Sequence, residues 1–332
     1  MKKRTTIEDI AKILGIHKST VSRGINNPEL VSKKTYDKIQ KVCKKMNYIP
    51  NNFAKSLAST SSHSIAMLIP CFSNAVFLDA IAGVTDICNQ YAYNLLLGDS
   101  SYTPLGEEEV IRKYLQQNVD GFILTETFHT QDTINLLNSS NIPTIEIMDV
   151  TDTPNFLANI GVNQYKATIA IVEYLLKKKN KHIALCSSWL DRRAMIRKQA
   201  WEECLTKNNL DITRYFNTKD KTSFASGAYS LVEILHKWPD TDAIFFINDD
   251  LAAGAIMECH RLGVKVGKDL DIVGFNDLDF ADILYPSLTT LSTPRYQMGK
   301  LGAKTLIEYL NGSTIENPTI ELDFQLKIRQ SA

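Results

Sequence analysis

Residues 15–27 read GIHKSTVSRGINN, and the fold of the N-terminal region turns on them. Gly15 at its start and Asn27-Pro28 at its end are turn signals, so the segment between reads as one short helix. Inside it only Val21 and Ile25 are aliphatic, and a spacing of four places them on one face. Lys18, Ser19, Ser22, Arg23 and Asn26 follow at i, i+1, i+4, i+5 and i+8, a continuous polar stripe. Ser and Asn are mediocre helix formers, so this helix must be held by its neighbours. Upstream, Ile7, Ile10, Ala11 and Leu14 recur at i, i+3, i+4 and i+7. Thr6 stands at the N-cap, Asp9 takes the capping-box position, and Gly15 ends that helix. Downstream, Ser32 caps a third helix. It turns Tyr36, Ile39, Val42, Cys43 and Met46 inward and lysines 38, 41, 44 and 45 outward. Three short helices joined by tight turns are the layout of a helix-turn-helix. Val21 and Ile25 then dock the second helix, and its polar stripe faces out, ready for base edges or phosphates.

Charge supports the same partner. The chain of 332 residues carries no formal net charge, yet residues 1–60 hold 13 Lys and Arg against 4 Asp and Glu, a net of +9, which leaves −9 for the rest. A basic head on an acidic body suits a polyanion partner. The length suits two or three domains. The six cysteines are scattered, without CxxC pairs or zinc spacing, and read as reduced core thiols. MKKRTTIEDI is basic without an apolar stretch after it, and no run approaches a membrane span. A cytoplasmic location is expected. There is no GxGxxG, no Walker A sequence and no recognisable nucleophile–base motif, so no enzyme, cofactor or metal is expected.

From Ser64 onward apolar runs alternate with helical patterns. SIAMLIP, YNLLLGD, GFILTET, IPTIEIMD, NIGVN, HIALCSS, AIFFIND and DIVGFND read as strands, with helices such as 79–91, 165–179 and 250–262 between them. Continuously apolar strands alternating with helices mean an α/β body of parallel sheets covered on both faces. The units are too many for one sheet, so two doubly wound lobes are expected. Ligands in such sheets sit beyond the carboxyl ends of the strands. Those ends carry CFSNAVF, TETFHT, Asp149, the segment around Arg192, Arg193 and Arg197, and NDD. Arginine clamps a carboxylate or phosphate, and carboxylates and amides pair with hydroxyls. A sugar or sugar-derived acid between two lobes fits. Several of these residues also have a plain structural alternative: Asp249 as a helix cap, Asp149 in a turn, the arginines on an exposed face, His129 in a loop.

The segment TTIEDIAKILGIHKSTVSRGINNPELVSKKTYDKIQKVCKKMNYIPNNFAKSLAS resembles the DNA-binding head of the LacI/GalR family of bacterial transcription regulators. The likeness lies in the D-[IV]-A start, TVSR, NN and YIPN-x-x-A-x-x-L. It implies that Lys18, Ser19 and Arg23 read bases in the major groove. Thr6, Thr20, Ser22, Asn26, Ser32, Thr35, Tyr48 and Asn51 become phosphate-contact candidates. It further implies a hinge helix from about Asn51 to Ala58 that folds on palindromic operator DNA, with Leu57 as a minor-groove wedge or, alternatively, packed on the body. The segment is too short for a stable free helix, and its serine-rich end reads as a flexible linker. His17 stands where the family mostly has Ser or Thr. It is either a poorer cap or a phosphate donor.

The body resembles the type I periplasmic-binding-protein fold of the same family. The expected domains are a helix-turn-helix domain at 1–50, a hinge helix and linker at 51–63, and an effector-binding and dimerisation domain at 64–332. The lobes of that last domain are about 64–161 plus 293–320 and about 162–292. The resemblance implies a homodimer whose face is built from about 72–92 and 95–118, without the tetramer-forming tail of some members. It places Phe77 in the effector cleft, makes Arg197 the common effector-binding arginine, and makes Asn248 and Asp249 an effector-contacting and capping pair. Asn276 stands where many members have Asp. Within the family the shared stretches GFILTETFHT, IEIMD, LDRRAMIRKQ and NDDLAAGA…ECHRLG are closest to gluconate-operon repressors. Gluconate has one carboxylate and several hydroxyls. Arg193 and Arg197 would supply cations, and Glu126, Asp149, Asn248, Asp249 and Asn276 hydroxyl partners. The expected function is a repressor controlled by a sugar acid. The alternative is another sugar, a sugar phosphate or a purine corepressor.

Overall fold

The computed structural model describes residues 5–49, 61–188, 192–219 and 221–332. It divides into two compact units, residues 1–62 and 63–332.

The first unit is helical: α1 (Ile7–Leu14), α2 (Lys18–Asn26) and α3 (Lys33–Lys45), with a 3₁₀ turn at Pro28–Leu30. The capping box forms as its sequence implies. The Asp9 N–H donates to the Thr6 hydroxyl at 3.3 Å and the Thr6 N–H to the Asp9 carboxylate at 2.9 Å. Gly15 closes α1 at φ 64°, an angle that costs glycine nothing. Ile10, Ala11, Val21 and Ile39 form the small core, and Ile25 packs half-buried on it. Gly24 is a third docking point on α2 that the aliphatic pattern does not reveal. A Cβ there would lie 2.5 Å from Ile39 Cδ1, so only glycine lets α2 sit this close to α3 without displacing that side chain. The proposed hinge helix, with Asn51 and Leu57, lies outside the described residues.

The second unit contains two six-stranded sheets. The first runs β11-β5-β4-β3-β1-β2, all parallel, from β1 (Ser64–Ile69), β2 (Asn94–Asp99), β3 (Gly121–Leu124), β4 (Thr144–Asp149), β5 (Ala158–Val162) and β11 (Thr319–Glu321). The second runs β12-β10-β9-β8-β6-β7, from β6 (Ile183–Ser187), β7 (Tyr215–Asn217), β8 (Ala243–Phe246), β9 (Asp271–Asn276), β10 (Thr289–Ser292) and β12 (Gln325–Lys327). Only β12 is antiparallel there. The long apolar runs are the buried central strands, as two-sided cover requires. Every strand expected from the sequence is present. The additional ones, YFN, TTLS, TIE and QLK, are three or four residues long and too polar to stand out.

Helices α4 (Leu78–Gln90), α5 (Pro104–Leu115), α6 (Gln131–Ser140) and α11 (Arg295–Leu310) cover the first sheet. Helices α7 (Gln164–Lys177), α8 (Arg192–Lys207), α9 (Phe224–Lys237) and α10 (Asp249–Leu262) cover the second. The chain crosses between lobes after β5, after β10 and again between β11 and β12. The third crossing returns residues 325–332 to the second lobe, a passage absent from the two-crossing lobe boundaries expected above. At the second crossing α11 lies against α4 through glycines. A Cβ on Gly83 would lie 2.2 Å from the Tyr296 carbonyl oxygen, and one on Gly299 2.0 Å from that of Ala80. Arg295 of α11 donates to the Asn276 carbonyl and, at 2.7 Å, to Asp79, tying the end of β9 to α4.

Candidate nucleic-acid interface and ligand cleft

On the head, α2 presents Lys18, Ser19, Arg23 and Asn26 exposed, with Thr20 and Ser22 half-buried beside them. Lys18 lies 3.5 Å from Glu8, but both side chains are more than 60% exposed, at 63% and 65%. Such a pair contributes little and is easily exchanged for a phosphate or base. His17 is the N-cap of α2. Its Nδ1 accepts the Ser19 N–H at 3.3 Å and lies 2.8 Å from the Ser19 hydroxyl. Of its two readings, this arrangement matches the cap. It needs Nδ1 as an acceptor. Ser32 caps α3 through the Thr35 N–H at 3.3 Å, its hydroxyl 2.9 Å from that of Thr35, while the Thr6 hydroxyl donates to Asp9 at 2.7 Å. These three hydroxyls are engaged at helix starts, where free backbone N–H groups also point outward. Tyr48 packs half-buried on the head core, its hydroxyl pKa raised by burial and then by the nearby Cys43.

In the body, a cavity of about 170 Å³ lies between the two sheets, beyond the carboxyl ends of their strands. Five residues singled out from the sequence line it: Phe77, Arg193, Arg197, Asn248 and Asn276. Arg197 is the most constrained. Its Nε and Nη2 donate to Gln164 Oε1 at 3.0 and 2.8 Å, its Nη1 to the Ile247 carbonyl at 2.6 Å, and the guanidinium lies 3.6 Å from the Phe275 ring centre. Asn248 caps α10 by accepting the Leu251 N–H at 3.1 Å, so its amide NH₂ is the end available to a ligand. Asn276 takes φ 113° and Met148, also in the lining, φ 86°. Backbone held in such regions clusters at functional sites, and Asn tolerates it better than most side chains.

Three other residues expected at the ligand lie outside this lining. Asp249 is fully buried outside the cavity, where it accepts the Leu278 N–H at 2.7 Å and the Thr290 hydroxyl at 2.6 Å. Burial pushes its pKa up to about 6 against those hydrogen bonds. It therefore braces α10 against the second sheet, and Asp250 takes its place in the lining. Asp149 is 1% exposed, accepting the Val150 N–H at 2.9 Å and the Thr127 hydroxyl at 3.4 Å. Burial raises its pKa, with the Arg193 charge opposing. Glu126 points at Arg193 and lines a wider outer groove of about 840 Å³. Sequence reasoning in turn missed Gln164, Tyr102, Ser188 and Lys221 in the lining. His129, read as a loop residue, is buried between Glu107 and Glu146, at 2.8 and 3.2 Å.

Comparisons with known proteins agree with both halves. Residues 6–51 match the lacI family of bacterial regulatory proteins, and residues 172–332 match a periplasmic binding protein-like domain. The chain is 32% identical over 325 residues to the HTH-type transcriptional regulator GntR of Escherichia coli strain K12, covering 98% of each. It is 32% identical over 324 residues to IdnR, another HTH-type transcriptional regulator of that strain, covering 97% of each. The crystal structure of a LacI family transcriptional regulator from Silicibacter pomeroyi matches with a TM-score of 0.92 at 26% identity, over 98% of this chain and 99% of its own. No helix among the described residues is long and apolar enough to cross a membrane.

Proposed function

The chain belongs to the LacI family of bacterial regulatory proteins and is a DNA-binding transcriptional regulator; from that premise we propose that it is a homodimeric repressor of a palindromic operator, released by a sugar acid, gluconate first. The observation that carries the ligand class is the cleft itself. Two arginine guanidiniums and Lys221 stand in one small cavity with the amides of Asn248 and Asn276. Cations meet the carboxylate and amides meet the hydroxyls of an aldonate. The subfamily likeness in sequence supports the same choice. A ligand shifts operator affinity only if it prefers one lobe arrangement, and both lobes contribute to this cavity.

A band-shift titration on a duplex selected from a random pool tests the proposal. Gluconate is expected to weaken operator binding by about tenfold or more, within the usual range of allosteric coupling. Idonate, ketogluconates, gluconate 6-phosphate and neutral sugars complete the panel. No response to any sugar acid removes the proposed specificity. A tightened complex makes the ligand a corepressor. A response confined to the phosphate ester assigns the three cations to a phosphate.

The head yields a separate expectation. Arg23→Ala should cost about 1–3 kcal/mol on the preferred duplex and flatten the ranking among base-substituted duplexes. Thr20→Ala should weaken all duplexes alike. An Arg23→Ala loss that is equal on every duplex would remove its base-reading role.

A further inference from the structure

The ion pair between Arg193 and Glu126 joins the two lobes. Arg193 stands on α8 of the second lobe. Its Nη1 donates to the Thr125 carbonyl at 2.9 Å and its Nη2 to Glu126 Oε1 at 2.5 Å, and both acceptors lie just past the end of β3 in the first lobe. One planar fork thus grips the opposite lobe at two points. The pair also stands on a boundary. Arg193 faces the inner cavity, 5.8 Å from the Phe77 ring centre, whereas Glu126 faces the outer groove, and Tyr102 borders both spaces.

We propose that Glu126 is a resident carboxylate that holds the place on Arg193 taken by the carboxylate of the ligand, so that an anionic ligand displaces it and undoes this tie between lobes. The proposal rests on the sugar-acid reading and deepens it. Chemically, the Glu126 carboxylate and an aldonate carboxylate are the same group competing for the same guanidinium. Exposure decides which protein carboxylate can yield. The Glu126 side chain is 20% exposed and opens onto the groove, so water receives it when it leaves. Asp149, a second carboxylate whose charge Arg193 opposes, is 1% exposed and held by the Val150 N–H and the Thr127 hydroxyl. Rejection of neutral sugars follows, because a hydroxyl is a weak competitor for a guanidinium already paired with a charge. So does linkage to lobe movement, since ligand binding and the tie exclude each other. Glu126 then opposes ligand binding instead of supplying a hydroxyl contact, and its removal acts with the opposite sign.

The test is Glu126→Gln in the full-length protein, which keeps shape and removes charge. By calorimetric titration gluconate should bind the variant about tenfold more tightly than the wild type, with glucitol unchanged. In protein without added sugar, amide exchange over residues 124–128 should accelerate by a similar factor as the tie weakens. Weaker gluconate binding by the variant, or a wild-type affinity with no gain, overturns the competition and returns Glu126 to a direct contact or to an inert pair. Binding of gluconate by neither protein overturns the underlying sugar-acid reading instead. Glu126→Ala should repeat the direction of each change.

Discussion

Arg197→Lys should lower the affinity of the cleft for its ligand by about a hundredfold while leaving operator binding in the absence of ligand nearly unchanged. Lysine keeps the charge, so the expectation rests on geometry. The guanidinium holds Gln164 Oε1 with two donors and the Ile247 carbonyl with a third, and it lies 3.6 Å from the Phe275 ring centre. An ammonium offers neither the fork nor the face. Gln164 opens α7 and Ile247 follows β8, so this one side chain fixes the cavity floor from two directions. Losing it leaves at least one buried acceptor unsatisfied, at about 1–3 kcal/mol each. The variant should therefore also unfold at lower urea. Calorimetric titration with gluconate, urea midpoints and band shifts separate these effects. Ligand affinity within about threefold of wild type would show that Arg197 is only a brace and would shift the anion site wholly to Arg193 and Lys221.

What the sequence reveals and conceals here follows from how far each interaction reaches. The capping box of Thr6 and Asp9, the stop at Gly15 and the cap at His17 are contacts within four residues, and all are legible. The central strands are legible because burial on both faces demands unbroken apolar runs. Glu126, Asp149 and Asp249 do stand at strand ends, as the fold requires. Their side-chain directions, however, are set by Arg193, by Val150 with Thr127 and by Thr290 with Leu278, so each has a partner distant in sequence. No local pattern carries that information. Gln164 looks like any first residue of a helix until Arg197 is seen beside it, and Tyr102 and Lys221 lie in loops whose course is tertiary. The short strands fail for the same reason. Gln325–Lys327 is a strand because it pairs with Thr289–Ser292, which pairs with β9 on its other side, and their own residues are unremarkable.

His129→Gln should destabilise the protein by about 3–5 kcal/mol at neutral pH, the usual cost of breaking a buried ion pair. The imidazole side chain has no exposed surface and sits between Glu107 and Glu146 at 2.8 and 3.2 Å. Burial by itself would lower its pKa, but hydrogen bonds to the two carboxylates outweigh it and push the pKa up to about 9. A folded pKa above the unfolded 6.5 stabilises the native state fully below pH 6.5, and that stabilisation fades as pH rises through 9. At about 1.4 kcal/mol per unit the change amounts to about 3 kcal/mol. Urea midpoints between pH 6 and 10 should therefore fall in the wild type and stay flatter in His129→Gln. A parallel fall in both proteins would assign the pH dependence to other groups. Adding Glu146→Gln to the variant should recover part of the loss, because one of the two carboxylates left facing each other is then neutral. The effect should also reach the cleft. Asn155 donates to Glu146 at 2.8 Å and to the Thr127 carbonyl at 3.2 Å, so this buried charge cluster supports the segment that brings Thr125 and Glu126 to Arg193. In His129→Gln, amide exchange at residues 125–129 should rise before the global transition, whereas uniform exchange across the first sheet would confine the cluster to stability alone.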